Sequence, residues 1–170
     1  MREERGFSLI ELLIVVAIIL VIAAIAIPNL MRARMSANDS SAASSVRMIN
    51  TAEYAYSAAY PSIGYALALN TLGGAAPCTP GVATACLLDN YLATNGGGSG
   101  KSGYSFNLVG SASAGSSSNN QYFATGAPLG TTLGSRSYCA VEDAVIRSQP
   151  AGTTTVVASR ASCQALNSLQ

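Results

Sequence analysis

Few residue types capable of chemistry occur in this 170-residue chain. It has no histidine, which removes the commonest general base and the commonest metal ligand. Its most unusual charged group is Glu11, four positions after Phe7 and inside an otherwise apolar run that reaches Ile27. A carboxylate at the centre of a membrane helix costs about 2.5–3.5 kcal/mol, and less near an end. Glu11 therefore either rests in the headgroup layer or meets a cation. A cut before Phe7 would create that cation as a new amino terminus. It would lie within i to i+4 reach in one helix, or between adjacent chains, where the pair would fix axial register.

The other reactive types are four cysteines, Cys78, Cys86, Cys139 and Cys163, all well beyond the apolar run. Zinc favours closely spaced ligand pairs, and the chain has neither CxxC nor histidine. An even count in a Gly/Ser-rich region reads as two disulfides in an oxidising compartment. Three pairings are open, and the nearest-neighbour pairing, Cys78–Cys86 with Cys139–Cys163, is the expectation. Glu142-Asp143 could touch calcium, although two acids in a tight turn are more often simply solvated. Asn95–Ser102 ends in Gly-Lys-Ser but is no phosphate loop. The position that must be glycine is Asn95, and strand-forming rather than helix-forming residues follow. There is no GxSxG and no carboxylate cluster. No catalytic residue, metal or cofactor is expected.

These groups must be held by elements of very different character. Only 10% of residues are charged, against roughly 25% in an ordinary soluble protein. Beyond Arg34 the cations Arg47, Lys101, Arg136, Arg147 and Arg160 balance Asp39, Glu53, Asp89, Glu142 and Asp143. Near-zero charge lets like molecules pack closely and gives no basic stripe for nucleic acid. After the charged leader Met1–Gly6, residues 7–27 are interrupted only by Ser8 and Glu11. As a helix this span is about 31 Å long, the thickness of a bilayer core, and it lacks the polar face of a soluble helix. Arg2 and Arg5 before it balance Arg32 and Arg34 after it, so flanking charge leaves orientation tied. The cysteines put residues 35–170 on the oxidising side and the leader in the cytoplasm. A competing reading is an ordinary signal peptide cut after Ala26, from Ala24-Ile25-Ala26; the length of the run and Glu11 at its start weigh against it.

Gly6-Phe7-Ser8-Leu9-Ile10-Glu11-Leu12 followed by an apolar helix resembles the class III signal of type IV pilins and of the pseudopilins of type II secretion. The resemblance covers residues 5–35. It implies cleavage between Gly6 and Phe7 by a membrane prepilin peptidase, which also N-methylates Phe7. It implies that Glu11 pairs with the amino terminus of a neighbouring subunit during assembly, and that Pro28 kinks a long helix. Arg136-Ser137-Tyr138-Cys139 to Ala144-Val145-Ile146-Arg147 is similar to the closing strands of many pilin-like heads. The implied function is a filament subunit and not an enzyme. The precursor would be an inner-membrane single-pass protein with a periplasmic head, lodged in lipid. An assembly platform would then draw it into a helical homopolymer on the cell surface. A pseudopilin is the alternative within the family. A secreted or membrane-anchored binding domain is the alternative outside it.

The expected fold is α+β. It comprises a leader (1–6), a membrane or filament-core helix (7–27), an amphipathic helix (28–60) and a head (61–170). Pro28 removes a backbone donor and should kink rather than stop the helix, because helix formers resume at Leu30. Ala42, Val46, Ile49, Ala52, Tyr56 and Ala59 mark one buried stripe, with Ser44, Arg47, Asn50 and Glu53 on the opposite face. Tyr60-Pro61 should end the helix. Tyr54, Tyr56, Tyr60 and Tyr65 are expected to pack helix against sheet. In the head, Thr84–Leu92 could hold a helical turn. Strands are expected at Gly103–Val109, Gln121–Thr125, Arg136–Val141 and Ala144–Arg147, with Thr153–Val157 as an added edge. The sheet would be antiparallel and lie against the helix.

Overall fold

The computed structural model describes residues 7–169. The chain divides into two compact units, residues 1–34 and 35–170. Helix α1 (Leu9–Ala59) supplies the described helical part of the first and the opening helix of the second. The helix runs through Pro28 without interruption. Proline deletes one donor and crowds the preceding turn, but the good helix formers on both sides carry the backbone across. The leader, with Gly6, lies outside the described residues.

In the second unit four strands form an antiparallel meander in the order β1 (Tyr104–Ser111), β2 (Gln121–Pro128), β3 (Tyr138–Val141) and β4 (Ile146–Ser148). The register runs from Tyr104 opposite Pro128 to Ser111 opposite Gln121, and β3 pairs Tyr138 with Gly126 and with Ser148. β1 shows why a period of two was legible. Tyr104, Phe106 and Leu108 are buried while Asn107 and Val109 face out, as a pleated ribbon requires. The buried face packs with Ala42, Val46, Ile49, Ala52 and Tyr56 of α1 into one core. Helix and sheet come close at Gly126: a Cβ there would stand 2.9 Å from Phe106 on β1 and 3.2 Å from Val46 on α1.

All four residues of β3 are buried, because both sheet faces are covered. On the far side Cys139, Val141, Val157 and Cys163 form a second, smaller core with Phe123 and Leu166. The short helix α3 (Arg160–Gln164) belongs to this layer. Ser159 caps it, accepting the Ser162 N–H at 3.1 Å. Disulfides join Cys78 to Cys86 and Cys139 to Cys163.

Three local expectations change. Thr153–Val157 is not a strand: Thr153 makes one isolated bridge to Arg136, while Val157 turns into the second core and Val156 stays exposed. The helical turn near Thr84–Leu92 is shorter and later, α2 at Asn90–Ala93. Asp89 accepts the Leu92 N–H at 2.8 Å and starts it there, whereas the Ala85 and Leu87 amides are taken up by Thr71 and Leu72 carbonyls. Finally, Asn50 and Glu53, placed by periodicity on the polar face, are buried, and Ala59, placed on the buried stripe, is exposed at the end of the helix. The sheet and the crossover after α1 cover a broader arc of the helix than its apolar stripe marks.

Candidate functional site

The described part of the site begins at Phe7, which is 79% exposed. Ser8 precedes the first helical residue and so stands at the N-cap. Three positions on, Glu11 reaches back, and its Oε2 accepts the Ser8 N–H at 2.9 Å. This is one half of a capping box, in which an acid at the third helical position satisfies the N–H of the cap residue. Its negative charge also sits at the positive end of the helix dipole. The carboxylate is thus turned toward the residues just after Phe7, the place where a freed amino terminus would stand. Ser8-Leu9-Ile10-Glu11 fits the S-x-x-E capping pattern, so this contact carried a signal in the sequence that the reading of Glu11 as a charge alone passed over.

Beyond Glu11 the helix is apolar on every side. Its most apolar 18-residue window has a mean hydropathy of 3.3, and none of it is buried within the chain. Leu9, Ile10, Leu12, Leu13, Ile14 and the large residues that follow to Ile27 are exposed. A surface of that size has to be covered by lipid or by other apolar helices. The helix is therefore long and apolar enough to cross a membrane. Pro28 lies seventeen positions beyond Glu11 in the same helix, so the two cannot act at one point.

Among the described residues no group of three or more His, Cys, Asp or Glu is placed to hold a metal ion. The acids of the candidate calcium turn have other partners. Asp143 pairs with Arg147 at 2.5 Å and Glu142 with Arg160. The Arg147 guanidinium holds the Asp143 carboxyl below the usual carboxylate range. A cleft of about 530 Å³ between α1 and the loop before α2 is lined mainly by Met48, Ala52, Ala55, Leu87 and Leu88, with Arg47 and Asp89 its charged members. The tyrosines serve packing: Tyr56 is buried, and Tyr65 meets Tyr122 edge-on at 4.8 Å and Tyr54 at 6.0 Å.

The chain thus joins an apolar helix with one acid in its first turn to a disulfide-bonded α+β head. Comparison with known proteins finds likeness in the amino-terminal segment. Residues 1–27 match the prokaryotic N-terminal methylation motif. The chain is 64% identical over 39 residues to the type IV wide pilus major component PilA4 of Thermus thermophilus, covering 23% of this chain and 30% of that protein. It is 46% identical over 54 residues to the type IV major pilin protein PilA of Myxococcus xanthus, covering 32% of this chain and 24% of that one. The matched region spans less than a third of either relative. No solved structure matches. The likeness to type IV pilins is thus to the amino-terminal segment.

Proposed function

We propose that this chain is the structural subunit of a type IV pilus-like filament. It is made as a single-pass inner-membrane precursor with its head in the periplasm. A prepilin peptidase cuts it between Gly6 and Phe7 and methylates the amino group of Phe7. An assembly platform then moves it from lipid into a helical homopolymer on the cell surface. The observation that carries this reading is the apolar helix whose one acid stands in the first turn beside Phe7, within the segment that matches the methylation motif. In lipid and in a fibre core the same apolar surface is covered, so transfer exchanges one apolar surrounding for another. Glu11 gives up its hold on the Ser8 amide, or shares it, and neutralises the amino terminus of an adjoining subunit. Pro28 tolerates local bending of the helix as subunits pack. Both relatives are named as pilus components, which favours a pilin over a pseudopilin.

The amino-terminal residue of the mature protein tests the processing step. Mass analysis is expected to find N-methylated Phe7. A chain starting at Ile27 would mean an ordinary signal peptide, and one starting at Met1 a plain anchor; either result refutes the reading. Glu11→Ala is expected to be cut and methylated normally yet to yield no fibres, judged by electron microscopy of sheared cell surfaces. Normal fibres from that variant would remove Glu11 from assembly. Short periplasmic assemblies in place of long surface fibres would identify a pseudopilin.

A further inference from the structure

Glu53 has no part in that scheme, and its surroundings are unusual for an acid. It lies on α1, yet its side chain is 0% exposed. Oε2 accepts the Ala66 N–H at 2.9 Å, and the buried Oε1 has no partner. Ala66 belongs to the crossover Tyr60–Ala68, which leaves the end of α1 and feeds the head. The crossover is otherwise held to the sheet and the β1–β2 connection by backbone bonds and by the Asn119 side-chain amide, which donates to Tyr65 O at 3.1 Å, while the Gly110 N–H donates to Leu67 O at 3.1 Å. The Tyr65 N–H donates to Asn119 O at 2.8 Å, the Asn119 N–H donates to Ile63 O at 2.7 Å, and Ala68 bridges to Val109. The titratable groups facing Glu53 are phenols: Tyr56 on its own helix, Tyr65 on the crossover and Tyr122 on β2. Burial raises all three, and the Glu53 charge raises them further, so they stay neutral near pH 7. Asp143 acts on Tyr122 from beyond it. Among the described residues no Lys or Arg offsets the carboxylate.

We propose that Glu53 is a proton-operated latch on the Tyr60–Ala68 crossover, closed while the carboxyl holds its proton and loosened once the proton is given up to water. A neutral carboxyl keeps the Ala66 N–H satisfied at little desolvation cost. An ionised one, with Oε1 buried and unpaired, gains most by moving to water. That requires the crossover to lift from α1, taking Tyr65 off Tyr122. Burial pushes the Glu53 pKa from 4.5 up to about 7, against the smaller downward pull of the Ala66 N–H. The closed form has the higher pKa and so binds the proton more tightly. Closure is therefore fully favoured below about pH 4.5, weakens as pH rises toward 7, and is constant above. The difference of two and a half units corresponds to about 300-fold in the opening equilibrium.

The test is amide hydrogen exchange at Ala66, followed by NMR on the full chain in detergent micelles and corrected for the intrinsic rate. The opening constant is expected to rise about tenfold per pH unit from about pH 4.5, level off near pH 7, and span about 300-fold. Glu53→Gln, which keeps a carbonyl oxygen for Ala66, is expected to flatten the curve. A flat wild-type curve, or the same rise in Glu53→Gln, would overturn the latch. Should that variant not fold, the ¹³C shift of the wild-type Glu53 carboxyl decides: a midpoint near 7 supports the proposal and an ordinary one near 4.5 overturns it.

Discussion

Asp39 and its neighbour Asn38, whose amide donates to the Leu133 carbonyl at 2.8 Å, tie α1 to the β2–β3 loop, and replacing Asp39 by alanine gives a sharp test of how the head is held. Asp39 accepts three hydrogen bonds from the head: the Ser135 N–H at 2.9 Å, the Ser135 hydroxyl and the Tyr104 hydroxyl. A hydrogen bond to a charged group is worth about 1.5–3 kcal/mol. The three are not additive here. The single Tyr104 hydroxyl proton can turn from Asp39 to the Arg136 carbonyl, 2.9 Å away, and Ser135 is only half-buried, so water can replace part of the loss. The expected cost of Asp39→Ala is about 2–4 kcal/mol, which for a head of this size lowers the melting temperature by roughly 8–16 °C. Asp39→Asn retains an acceptor and should lose about half as much. Thermal unfolding of the full chain in detergent, followed by circular dichroism, measures both. In a double-mutant cycle with Tyr104→Phe, the two losses should sum to more than the double variant shows. An Asp39→Ala melt within about 2 °C of wild type would mean that the apolar core alone seats the helix on the sheet.

The two disulfides should differ in weight. Chain entropy alone assigns about 3.4 kcal/mol to the Cys139–Cys163 bridge, which closes a separation of 24, and about 2.5 kcal/mol to Cys78–Cys86, which closes 8. Denaturant titrations of paired Cys→Ser variants should rank them in that order, with the larger gap arising from loss of the second core around Cys139. Gly126→Ala places a methyl against Phe106 and Val46 and is expected to destabilise by about 1–3 kcal/mol; an unchanged melting temperature would show that the helix can move outward freely.

The amino-terminal device was readable because its signals are local. A short charged leader, Gly6-Phe7, an S-x-x-E spacing and an unbroken apolar run need no tertiary knowledge. The four strands were legible for a related reason: Tyr104, Phe106 and Leu108 alternate cleanly, and the Gly-rich connections separate one run from the next. Where the reading failed, distant segments had settled the outcome. Asn50 and Glu53 sit at polar positions of a helical wheel, but Asn50 meets the Tyr122 hydroxyl and donates to the Ala144 carbonyl, while Glu53 meets the Ala66 amide. None of those partners is adjacent in sequence. The tail was misread likewise. Val156-Val157 has the composition of a strand, yet residues 159–164 form a capped helix tied by Cys163 to β3, and this draws Val157 onto the sheet face in place of an edge.

The β1–β2 connection bears on how such a chain can change over time. Its two ends are fixed: Ser111 is in register with Gln121, and Asn119 is bonded to the crossover. Between them Gly115 meets no atom within 4 Å of where a side chain would begin. Loop-closure entropy rises only slowly with length, about 0.6 kcal/mol per doubling. Lengthening or rewriting residues 114–117 therefore leaves both cores and the register intact. Surface chemistry can drift there while the packing residues stay as they are, and a short epitope or affinity tag spliced beside Gly115 has room.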